Sequence, residues 1–151
     1  MLLLEIAAQG VKGVSPTGGS ARLRPAYNVC AFEGAALRRL VLALLYPGDR
    51  DGEAVRAGVP ANAAVRAGIT LVGADGATYR LLRDFAGGCG LHRFDPAKRA
   101  FGPVATEPGA VAEALLGPVG IPPRRRLELL SLAAADLPSR RAGGALGGAA
   151  T

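Results

Sequence analysis

The chain has 151 residues, half of them hydrophobic, with a net charge of +6. That length suits one domain with a real core, and the apolar start Met1-Leu2-Leu3-Leu4 is closed by Glu5 too soon for a signal segment or a membrane span. The expectation is a soluble cytoplasmic protein whose charge permits weak polyanion binding without demanding it.

Aromatic residues are scarce and tryptophan is absent, so Ala, Leu, Val and Gly must do most of the packing. Lys12 and Lys98 are the only lysines, and the rest of the positive charge is arginine. Cys30 and Cys89 lie far apart and lack metal-ligand spacing. Cys30 falls in an expected buried strand, where a free cysteine behaves as a small hydrophobe.

In chain order, residues 2–8 read as a buried strand, and the glycines and proline over 10–19 read as a loop or wide hairpin. Residues 21–24 alternate and return as a short strand. A β-prone run, Tyr27-Asn28-Val29-Cys30-Ala31-Phe32, then meets the small-residue corner Gly34-Ala35-Ala36. An apolar helix follows over 37–46, burying Leu37, Leu40, Val41, Leu44 and Leu45 and turning Arg38 and Arg39 to solvent. Pro47-Gly48 ends it.

Residues 49–62 read as a surface loop. Residues 64–72 and 78–83 flank Ala74-Asp75-Gly76, a hairpin signal, and 90–94 and 101–105 add strands, so 69–105 forms an antiparallel meander. Thr106 is expected to cap a helix through Leu116, with Pro108 tolerated near its start. The spacing of Leu127, Leu129, Leu130 and Leu132 fits helix or strand equally. The domain is expected over 1–140, with a disordered Ala/Gly tail over 141–151. The fold class is mixed α/β (α+β).

Strand, tight turn and helix is the layout that offers helix N-terminal amides to a phosphate. Against the consensus G-x-x-x-x-G-K-[ST], the window starting at Ala31 keeps the context and loses the chemistry. Ala31 and Ala36 stand at the glycine positions, Leu37 at the lysine and Arg38 at the hydroxyl, while Gly34 lies inside the loop. Leu37 has neither charge nor donor, Arg38 cannot ligate magnesium, and Glu33 would repel phosphate.

Other candidates read as structural. His92, the sole histidine, has no patterned nucleophile beside it. Asp75, Asp84 and Asp95 each fall at a turn or strand end, where Asp is common. Arg124-Arg125-Arg126 and Arg140-Arg141 lack the interleaved aromatics of a nucleic-acid surface. No catalytic or metal-binding residue is expected.

The order of parts resembles the N-terminal lobe of the SMC, RecN and RecF-like ATPases, of the ABC-type P-loop class. The resemblance rests on Asn28-Val29-Cys30 followed by Leu40 through Pro47, on Tyr79-Arg80-Leu81-Leu82-Arg83-Asp84-Phe85, and on Gly120-Ile121-Pro122 leading to Asp136-Leu137-Pro138-Ser139. Ala134 falls where those proteins place a nucleotide-sensing glutamine, and the family's second half has no counterpart. The resemblance implies a degenerate lobe, a pseudo-ATPase without a cofactor, acting through another protein or through self-association as an accessory to such an ATPase. The alternatives are residual binding of ATP and magnesium, with Arg38 or Arg39 replacing the lysine, and a basic DNA-associated accessory protein.

Overall fold

A computed structural model describes residues 1–14, 19–25, 28, 32–48 and 50–130. The expected disordered tail lies outside these residues, as do Tyr27, Val29, Cys30 and Ala31 of the expected central strand. The described architecture is mixed α/β, built on a six-stranded antiparallel sheet with strand order β2-β1-β3-β4-β5-β6. Its strands are β1 (Leu2–Gln9), β2 (Gly19–Arg22), β3 (Arg66–Val72), β4 (Thr78–Arg83), β5 (Cys89–Asp95) and β6 (Ala100–Ala105). The helices are α1 (Gly34–Leu45), α2 (Asp51–Arg56), α3 (Pro108–Leu116) and α4 (Arg124–Leu130).

One face of the sheet makes the core. Register places Ile6 beside Ile69, Ile69 beside Leu81 and Leu81 beside Leu91, a single row across four strands. All four side chains are buried, beneath Leu40 and Leu44 of α1 and Val111 and Leu115 of α3. α1 lies over β3 and β4, and α3 over β5 and β6. The meander is as expected. Its first hairpin closes at Gly76, which takes a left-handed φ of 76° that a side chain would resist, and Asp75 Oδ1 accepts the Ala77 N–H at 3.0 Å.

Several elements differ from expectation. β2 pairs Gly19–Arg22 with β1, two residues earlier than the run expected to return. The stretch expected to be a loop contains α2, with Asp51 and Glu53 in its first turn and Arg56 in its last. Those charges complement the helix dipole, but with Val55 its one buried large side chain the helix is too short to show a period. α3 starts at Pro108, so Glu107 rather than Thr106 is its N-cap, and no side chain caps it. Proline fixes φ and needs no amide partner, which makes it a natural first helical residue. The ambiguous leucine segment is helical as far as Leu130, Leu132 lying outside the described residues: Arg124 Nε donates to Glu128 Oε1 at 2.8 Å, one turn on.

A few polar contacts tie the layers together. Arg83, on the core face of β4, donates to the carbonyls of Ala43 and, at 3.0 Å, Pro47, where α1 runs out of its own donors. Tyr46 donates its hydroxyl to the Pro122 carbonyl at 2.6 Å, and Arg124 forms an ion pair with Asp51. Replacing Arg83 by Met should leave the carbonyls of Ala43 and Pro47 without this donor. It is expected to lower stability by about 1.5–3 kcal/mol, read as a lower urea midpoint at unchanged m-value.

Candidate functional site

The corner before α1 is described on its helical side. Asn28 and Phe32 lie outside any strand; Asn28 exchanges two hydrogen bonds with the Arg24 backbone, each 2.9 Å, and Phe32 is half-buried against the core. Helix α1 begins at Gly34, three residues before the expected start, so Gly34 and Ala36 belong to its first turn and not to a loop. Alanine is the best helix former, and nothing in Ala35-Ala36 obliges the chain to turn.

That start is closed by the chain itself. The Glu33 amide donates to the Gly13 carbonyl at 2.8 Å. Gly13 has φ 79°, and a Cβ there would lie 2.6 Å from Glu33 Oε2 and 2.8 Å from the Ala36 methyl. Only glycine allows the β1–β2 connection to come this close. Glu33 is the N-cap residue, and its carboxylate makes no capping bond. It shares a cleft of about 270 Å³ with Lys12 and Arg39. A helix N-terminus favours negative charge, and here the chain supplies it.

Leu37 and Val41, both expected to be buried, are half-buried against the core. Arg39 is exposed, but Arg38 is half-buried, contrary to expectation. Both line a cleft of about 330 Å³ between α1, α2 and α4, with Arg124, Asp51 and Glu128. Arg124 is paired with both carboxylates there. The cleft is therefore a mixed-charge seam that joins three helices.

The three aspartates close separate turns. Asp75 accepts from the Tyr79 hydroxyl at 2.8 Å and from the Ala77 amide, and these bonds hold its carboxyl below the ordinary range. Burial, then the bond to Asp75, pushes the Tyr79 phenol up. Asp84 sits at the other end of β4 and accepts from Ala86 and Gly88 at 2.8 and 2.7 Å. Asp95 accepts from Ala97 and Lys98. They make no joint carboxylate set. Cys89 is a half-buried free thiol whose pKa is raised by burial. His92 is half-buried on the sheet face away from the helices, and its Nδ1 has no hydrogen-bond partner. Among the described residues no group of His, Cys, Asp and Glu could hold a metal ion, and no helix is long and apolar enough to cross a membrane.

The feature that residue motifs did not reveal is that outer sheet face. Its signal was Leu82, an apolar residue following Leu81 and so pointing the other way; it is 46% exposed. The sequence matches no family model and no curated protein.

Two measurements follow from this geometry. Leu37→Lys should cost about 1 kcal/mol, roughly half the value of a fully buried leucine, as a urea-midpoint shift. The Asp84 carboxyl is held down mainly by the Ala86 amide, so its contribution is present above the unfolded carboxylate pKa and is lost as pH falls through the lower folded value. Asp84→Asn should therefore remove part of the stability difference between neutral and strongly acidic pH, seen in melting temperatures across that range.

Proposed function

We propose that this chain is an ATPase-lobe-like domain without nucleotide chemistry, which works by binding another protein or a second copy of itself as an accessory to an SMC- or RecN-like ATPase. The observation that carries the reading is the start of α1, where the Glu33 carboxylate, without capping the helix, lies against Gly13 and adds negative charge beside the helix amides. Leu37 packs toward the core where that family extends a lysine. The order of two strands, two helices and then an antiparallel meander is compatible with that ancestry. Fold alone assigns no function; the missing phosphate donors and the carboxylate beside the helix start support this one.

The two sheet edges suit association poorly. β2 has four residues, and β6 carries Pro103 next to a register shift opposite Leu91 and His92. Short strands, proline and bulges are the means by which edges resist pairing. A partner is therefore expected on a face. Millimolar ATP, with or without magnesium, should leave the melting temperature unchanged. A ligand at 100 times its Kd would stabilise the fold by about 2.7 kcal/mol, and a shift of that order would overturn the reading.

A further inference from the structure

The sheet face opposite α1 and α3 carries a pattern that complements itself. Register fixes its rows: Ala7, Gly68, Leu82 and Gly90 run across β1, β3, β4 and β5, and Glu5, Thr70, Arg80 and His92 form the next row. No described helix lies on this side, and a trough of about 680 Å³ runs along the first row.

We propose that this face binds a second copy of the chain, sheet on sheet, about a two-fold axis running along the strands between β3 and β4. The proposal rests on the association reading above and names its partner and surface. Such an axis keeps every row at its own height and reverses the strand order. β3 then faces β4 of the second copy, and β1 faces its β5.

Three consequences follow from that one operation. Leu82 comes to face Gly68 of the second copy. Within its own chain Leu82 already leans over Gly68, where a Cβ would meet its Cδ2 at 2.7 Å, so both leucines lean toward the axis and meet there. Glu5 comes to face His92 of the second copy, setting a carboxylate opposite an imidazole. Arg66, the first residue of β3, and Asp84, just past the end of β4, line the same trough. Across the axis each arginine comes toward the second copy's aspartate, whose carboxylate also accepts from the amides of its own turn. The Arg80 backbone faces Thr70 of the second copy, while its guanidinium stacks on Phe101 of its own chain, away from the axis.

Six strands about 4.8 Å apart and about 20 Å long give roughly 1,100 Å² over two copies, just below the range of stable specific interfaces and suited to a reversible dimer. Sheets stacked in this way keep their strands within about 30° of each other, so the pairs nearest the axis survive the twist best.

Sedimentation equilibrium at tens of micromolar should give twice the 15.3 kDa chain mass. Leu82→Arg changes an exposed side chain and should yield a monomer with an unaltered circular dichroism spectrum and a cooperative melt. Glu5→Arg should weaken the dimer, and the double variant Glu5→Arg/His92→Glu should restore it. Those two positions lie three strands apart in one chain and meet only across the axis. A wild-type monomer at several hundred micromolar, a dimer indifferent to Leu82→Arg, or no recovery in the double variant would each overturn the interface. Nucleotide stabilisation would instead sink the non-catalytic reading and leave this interface standing.

Discussion

The row Ile6–Ile69–Leu81–Leu91 under α1 is the contact on which the rest of the fold depends. Those residues come from four strands, and burying each contributes roughly 1.5–3 kcal/mol. Because side chains alternate along a strand, this row fixes everything else about register. With Leu81 turned inward, Leu82 must turn out, Arg83 must turn in, and Arg80 must join the outer face. The Arg83 bonds to the end of α1 are thus a consequence of the same choice that exposes Leu82. A one-residue slip of β4 in either direction would turn Arg80 into the core and Leu81 and Arg83 out of it, losing the tether together with the packing.

Strands β3 to β6 were legible because their runs are apolar, alternating and separated by Asp-Gly, Gly-Gly and Asp-Pro turns. Their side chains make local pairs, so local sequence carries the signal. What could not be read was the placement of β1 between β2 and β3. That order pairs residues about sixty positions apart, and no short window contains both partners. α2 escaped because six residues with Val55 as their single large buried side chain have no measurable period. α1 starts three residues before the point that a phosphate corner at Gly34-Ala35-Ala36 predicts, because alanine favours helix there.

The corner also shows why residue identities and geometry had to be combined. The sequence identified the absent lysine and hydroxyl, and it marked Glu33 as repulsive to phosphate. It did not show that Gly13, from a different hairpin, would close on Glu33. That contact depends on where β1 and β2 deliver their connection, which is a tertiary fact. The aspartates are the reverse case: turn preference alone explained Asp75, Asp84 and Asp95, and each carboxylate is engaged with the amides of its own turn.

These features together restrict where the molecule can meet a partner. The positive end of α1 already has a carboxylate beside it, and Arg124 is paired with Asp51 and Glu128 in the cleft between the helices. The sheet edges end in a four-residue strand and a proline-bearing one. On the outer face, by contrast, glycine at 68 and 90 gives up packing that a strand interior would normally use, and it does so on either side of an exposed leucine. Larger residues at those positions would have covered the backbone and kept Leu82 upright and isolated. Gly68 instead lets Leu82 lie down across the neighbouring strand, and at Gly90 a Cβ would lie 3.1 Å from His92 Cε1. Under the proposed stacking, so low a surface lets a second flat layer come close.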